Sequence, residues 1–209
     1  MLLMHGWEGR PTQFAHLIDS LVQAGYTAVS LEGPAHGHSP GNQAHVVLFA
    51  RALLEAAAEL PPLKAVIGHS MGGSSVMLAL QWGLRAEMAV SVSAPAQLLG
   101  VLRSFAHRLG MPARARAAFI RQVERDVGIQ ITRLDVSGYQ LEIPALIVHA
   151  EDDALVPASE ARAIHQAWFD SRLLVLPQGG HQRVLSDPQL IEGVMTLLTH
   201  RRAPARQSA

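Results

Sequence analysis

Short apolar runs alternating with amphipathic helical patterns constrain this chain more than any other feature of its sequence. The runs are Met1 to Met4, Thr27 to Leu31, Lys64 to Ile67, Met88 to Val92, Ala145 to His149 and Arg172 to Leu176. Their near-continuous apolar character predicts strands buried on both faces. The helical patterns between them supply the covering layers, so the fold class is α/β, with a mostly parallel sheet of about six strands. Phe14, Leu17, Ile18, Leu21 and Val22 recur at helical spacing, with Pro11 near the start of that helix and Gly25 just past its end. Further helices are predicted from Val46 to Leu60, where Pro61-Pro62 stops the pattern, from just after Ser70 to about Trp82, from Pro157 to Trp168 and from Pro188 to His200.

Residues 96–140 break the alternation. Two helical patterns stand where one crossover is expected, the first with Leu98, Leu99, Leu102, Phe105 and Leu109, the second with Phe119, Ile120, Val123 and Val127 after Pro112. This insertion reads as a small helical cap over the C-terminal edge of the sheet, where open α/β folds bind ligands. Between Ala96 and Gly128 it carries Arg103, Arg108, Arg114, Arg116, Arg121 and Arg125 against only Glu124 and Asp126. A lid of that sign favours anionic acyl substrates, although an ordinary solvated helix face has the same composition. The domain organisation is therefore a single unit over 1–200, with the cap insertion at about 96–140 and a mobile tail at 201–209.

Gly68-His69-Ser70-Met71-Gly72 follows the third apolar run directly. A G-x-S-x-G pentapeptide between a strand and a helix reads as a nucleophile elbow: the serine sits on a sharp turn, and flanking glycines remove side chains that would collide there. Met71 opens the next helix and offers its backbone N–H to a developing oxyanion. A serine hydroxyl at neutral pH needs a base within hydrogen-bond reach and a third group to orient that base. Downstream, Asp153 follows the fifth run within Glu151-Asp152-Asp153, and His181 follows the sixth within Gln178-Gly179-Gly180-His181. The order Ser, Asp, His is the one such elbows use. Asp152 is the alternative acid. His69, beside the serine, is a candidate substrate contact, and so is Trp7; packing is the alternative for each.

By these residues, the chain resembles the α/β-hydrolase superfamily over nearly all of residues 1–200. His5-Gly6-Trp7 resembles its oxyanion-loop motif. Glu32-Gly33-Pro34-Ala35-His36-Gly37-His38-Ser39 resembles its D-x-x-G-H-G-x-S loop with Glu for the usual Asp, and Asp153-Ala154-Leu155-Val156-Pro157 resembles its D-x-x-V-P acid loop. The resemblance implies that Ser70 is nucleophile, His181 base and Asp153 acid, with an oxyanion hole from the N–H groups of Met71 and Trp7. It implies a cofactor-free serine hydrolase of carboxylic esters or thioesters. Acyl transfer, perhydrolysis and peptide cleavage on the same fold are alternatives, as is a non-catalytic binding protein. It also implies that the first strands of the usual sheet are absent, through a natural minimal form or a start codon set too far downstream. Met1 to Met4 then lies in the sheet interior, between Thr27 to Leu31 and Lys64 to Ile67. Thr27 to Leu31 becomes an edge open to homodimerisation.

Composition narrows the partners. Seventeen basic and seventeen acidic residues balance, which argues against nucleic acid or an anionic membrane as the main partner and favours a small-molecule acyl substrate. There is no cysteine, and no carboxylate is spaced to complete a zinc site with His36-x-His38, so no metal is expected. No apolar run reaches the roughly 18 residues of a membrane span, and a cytoplasmic location is the expectation.

Overall fold

The structure, a computed structural model, describes residues 1–199; the predicted tail and the last predicted helical residue, His200, lie outside them. Six strands, β1 (Leu2–Met4), β2 (Val29–Leu31), β3 (Leu63–His69), β4 (Ala86–Val92), β5 (Ala145–Ala150) and β6 (Ser171–Leu176), form one sheet in the order β2-β1-β3-β4-β5-β6. Every pairing is parallel. The helices are α1 (Ala15–Gln23), α2 (Val46–Ala58), α3 (Met71–Gln81), α4 (Leu98–Arg108), α5 (Ala113–Val127), α6 (Ala158–Ala167), α7 (Gly180–Arg183) and α8 (Pro188–Thr199).

Alternation along the strands explains why the runs are apolar at almost every position. Leu2, Met4, Val66, Ala89 and Ile147 pack on one face with Phe49 and Leu53 of α2, Val76 and Met77 of α3 and Ile164 of α6. Leu3, Ala65, Ile67, Val90 and Val148 pack on the other with Leu17 and Leu21 of α1 and Val194 and Leu198 of α8. Residues of either parity in the interior strands β1, β3, β4 and β5 are thus removed from water, each fully buried large side chain contributing about 1.5–3 kcal/mol, whereas the edge strands β2 and β6 are mostly part-buried where burial on both faces was expected.

The expected strands are present, with shifted ends. β3 runs on to His69 because it is paired there with Val92 of β4, and β4 begins earlier than expected, at Ala86, opposite Leu63. β1 lies in the interior as anticipated, with Met4 between Leu31 and Gly68, and β2 is an edge. The sheet order reverses between β1 and β3, so the C-terminal ends of those strands flank the crevice where such sheets place ligands.

The 96–140 stretch forms α4 and α5, as the two patterns predict, followed by 3-10 turns at Ile131–Leu134 and Val136–Gly138 that they did not reveal. It leaves and rejoins the sheet through one neck. Gln97 and Asp135 form an antiparallel bridge, the Val136 N–H donates to the Ala96 carbonyl at 3.1 Å, and the Glu160 carboxylate accepts the N–H groups of Ala96 and Gln97 at 2.8 and 3.0 Å.

Candidate active site

Ser70 sits between β3 and α3 with φ 54° and ψ −123°, a backbone conformation that costs an L-residue of order 1–3 kcal/mol. The surroundings impose it. The Ser70 N–H donates to the Val92 carbonyl at 2.8 Å, and the Ser70 carbonyl accepts from Gly73 and Ser74. A Cβ on Gly68 would collide with the Gly72 backbone, and one on Gly72 with the Met4 and His5 carbonyls, so the elbow closes only with glycine at both positions. A serine preceding a helix usually caps it with its own hydroxyl, but Ser70 makes no such bond. Its Oγ lies instead 2.8 Å from His181 Nε2.

His181 reaches that position from the far side of the sheet order. Gly179 and Gly180, at φ 140° and 56°, turn the chain after β6, and His181 stands in the short helix α7 where a loop was expected. Its Nδ1 lies 2.7 Å from Asp153 Oδ2. A carboxylate only accepts, so Nδ1 carries the hydrogen and Nε2 presents a lone pair to the Ser70 hydroxyl. Asp153 is buried. Its Oδ1 accepts the N–H groups of Leu155 and Val156 at 2.9 and 3.0 Å, while Oδ2 also has His149 Nε2 at 3.3 Å. Burial raises the affinity of this carboxyl for a proton, but hydrogen bonds from His149, His181 and the Val156 N–H outweigh it and hold Asp153 well below the usual carboxylate range. The neighbouring Asp152 faces elsewhere, accepting the Gly180 N–H at 2.7 Å.

His69 is buried, with Nε2 2.7 Å from the His181 carbonyl and Nδ1 3.1 Å from the Gln13 side-chain nitrogen. The carbonyl only accepts, so Nε2 donates and Nδ1 receives the Gln13 N–H. Burial is the main reason its pKa falls from 6.5 to about 4. Both ring nitrogens are engaged, so neither is free to hydrogen-bond a substrate, and Nε2 holds the His181 backbone. Trp7 is 54% exposed, with its ring edge-on to Phe105 of α4 at 5.9 Å; Phe105 in turn lies 6.1 Å from Phe119 of α5. Among the described residues, neither the Trp7 nor the Met71 N–H donates to another group. The turn after Trp7 is held by His36, whose Nε2 accepts the Glu8 N–H at 2.9 Å, and the Glu32 carboxylate accepts the His38 N–H at 2.7 Å. No group of three or more metal-ligating side chains occurs among the described residues, nor any helix long and apolar enough to cross a membrane.

Three supporting residues escaped the sequence reading. Gln13 carries no local signal; Asp152 reads from sequence only as a rival acid; His149 stands four residues before Asp153, the one spacing that points to it.

Comparison with known proteins agrees with this architecture. The putative carbamate hydrolase RutD of Escherichia coli (strain K12 / DH10B) is 36% identical over 80 residues, covering 35% of this chain and only 30% of that relative's length. Mouse alpha/beta hydrolase domain-containing protein 10 superposes with a TM-score of 0.73 at 14% identity, over 93% of this chain and 86% of its own. An esterase from Exiguobacterium antarcticum gives 0.71 at 17% identity, over 95% and 91%. At such identities the likeness speaks to the fold. The model of the alpha/beta hydrolase family matches residues 1–193, from β1 past the His181 turn and into α8, and the chain belongs to that family.

Proposed function

We propose that this hydrolase cleaves a small carboxylic ester or thioester through an acyl-enzyme on Ser70. The observation that carries the reading is the unbroken pair of hydrogen bonds from Ser70 Oγ to His181 Nε2 and from His181 Nδ1 to Asp153 Oδ2. As Ser70 Oγ attacks the acyl carbon, its proton passes to Nε2, and the imidazolium so formed is stabilised by the Asp153 carboxylate. The negative charge of the tetrahedral intermediate falls to the N–H groups of Met71 and Trp7. Both are without other acceptors, and Met71 stands at the positive end of α3. His181 then protonates the leaving group, activates water as base, and returns the proton to Oγ when the acid departs. No cofactor enters this scheme.

The acyl pocket in this reading is walled by Trp7 and roofed by α4 and α5 acting as a cap. The row Trp7, Phe105, Phe119 supports that placement, because it joins the oxyanion loop to both helices. The relative described as a putative carbamate hydrolase adds carbamates to the acyl donors worth testing. The unpaired outer side of β2 is the surface proposed for homodimerisation, tested by sedimentation over a concentration series.

The deciding experiment is intact-mass analysis after incubation with a fluorophosphonate, on wild type, Ser70→Ala and His181→Ala, each shown to be folded by near-ultraviolet circular dichroism. One adduct on wild type and none on either variant is the expected result, followed by turnover of an ester, thioester and carbamate panel. A folded wild type that takes no adduct overturns the mechanism. A ligand that stabilises wild type and Ser70→Ala equally, without turnover, favours a binding protein.

A further inference from the structure

His149, on β5, is wholly buried and has no part in the proton path above. Its Nε2 lies 2.9 Å from the Val156 carbonyl and 3.3 Å from Asp153 Oδ2. Both are acceptors, so Nε2 carries a hydrogen shared between them, with the shorter bond to the carbonyl. Its Nδ1 is buried without a hydrogen-bond partner among the described residues. An orphaned polar atom in the interior costs about 1–3 kcal/mol. Ala145 and Ile147, on the same face of β5, show what packing alone calls for there. An imidazole kept at this cost is explained by what its other nitrogen holds.

That nitrogen completes the hydrogen bonding of the acid. A carboxylate offers about four lone-pair directions, and at Asp153 four donors meet it: the Leu155 and Val156 N–H groups on Oδ1, His181 and His149 on Oδ2. The bonds also close a ring. The Val156 N–H binds Asp153 Oδ1 while the Val156 carbonyl binds His149 Nε2, buckling the 153–156 turn to the end of β5. Rotating the carboxylate away from His181 breaks several of these contacts together. We infer that His149 is a positioning residue, a second histidine on the acid, which fixes Asp153 Oδ2 toward His181 and tempers how strongly that oxygen draws on the His181 Nδ1–H. The inference rests on the hydrolase reading for its catalytic consequence. The depressed affinity of Asp153 for a proton, to which His149 contributes, accords with it.

The test compares His149→Leu, which keeps bulk without a donor, with His149→Gln, whose amide N–H stands near the place of the imidazole Nε2–H. The readouts are kcat and KM on an activated ester, the pH profile of kcat/KM, and the downfield proton resonance of the His181 Nδ1–H. His149→Leu is expected to lower kcat about tenfold with KM within about twofold. Losing a competing donor makes Oδ2 a stronger acceptor, so the acid limb of the profile moves to higher pH and the resonance moves further downfield. His149→Gln is expected to restore all three toward wild type. Unchanged kcat and resonance in His149→Leu, or equal change in both variants, overturns the inference and leaves only the structural bond to Val156. If His149→Leu does not fold, His149→Asn, whose amide stops short of Asp153, replaces it. The resonance needs no turnover, so it decides the His149–Asp153 link even if the fluorophosphonate result overturns the hydrolase reading.

Discussion

Asp153 Oδ2 lies 2.7 Å from His181 Nδ1, while Asp152, one residue earlier, sends its carboxylate to the backbone of Gly180. The two residues stand at the tight turn that the Asp153 N–H closes on the Ala150 carbonyl, and one acid meets the imidazole while the other fixes the turn that delivers it.

This division separates the two acids experimentally. Asp153→Asn leaves the shape of the site but removes the charge that selects the His181 tautomer, and kcat is expected to fall about 10⁴-fold. Asp152→Asn retains an acceptor for Gly180 N–H and is expected to stay within about tenfold of wild type. Steady-state kinetics on both variants check the pair; equal losses would reassign the acid.

The elbow glycines predict a stability effect independent of chemistry. Gly68→Ala drives a methyl into the Gly72 backbone, which cannot move without parting β3 from α3, and an overpacking cost of about 3 kcal/mol or more is expected in urea unfolding. Gly83→Ala makes a useful contrast: its Cβ meets open space, so only the strain of its positive φ is felt.

His69 links stability to pH with a definite sign. Its pKa is depressed in the fold to about 4 from 6.5, so the unfolded chain binds the extra proton first. The contribution is complete above pH 6.5 and is lost as pH falls through the window from 6.5 to 4, amounting to about 3 kcal/mol. His69→Gln keeps a donor for the His181 carbonyl but does not titrate. Its loss of stability between pH 7 and pH 4 is expected to be smaller than that of wild type by about this amount, read from urea midpoints.

The neck of the insertion gives a prediction about dynamics. Glu160→Ala strips the acceptor from the Ala96 and Gln97 N–H groups, a charge-assisted pair whose loss is expected to loosen α4 and α5 locally by about 1–3 kcal/mol. Hydrogen exchange should quicken across 96–136 while the amides of β3 and β5 keep their protection. Equal quickening throughout the sheet would show that the insertion does not open on its own.

Much of the site was legible because its parts are local in sequence. The glycines around Ser70, the spacing from Asp153 to Pro157 and the glycines before His181 each record a backbone constraint within a few residues. Gln13 could not be read this way. It reaches His69 from the 3-10 turn at Pro11–Phe14 that follows the neighbouring strand β1, and nothing around that glutamine announces a partner 56 residues away. His69 shows the same limit: its position beside the serine is visible in the sequence, whereas the two partners that occupy its ring nitrogens are not. The short helix at Gly180–Arg183 was hidden too, because four residues are too few to show a period.

By itself the sequence determined the layer architecture, the tight glycine-flanked turn at Ser70, and the order of Ser70, Asp153 and His181 after the third, fifth and sixth apolar runs, since these follow from hydrophobic period and from the steric demands of single turns. Only the tertiary structure decided which acid meets His181, which histidines brace it, and where each strand pairing begins and ends. Those outcomes depend on strand register and on where buried donors find acceptors, distances set by the packing of segments far apart in the chain.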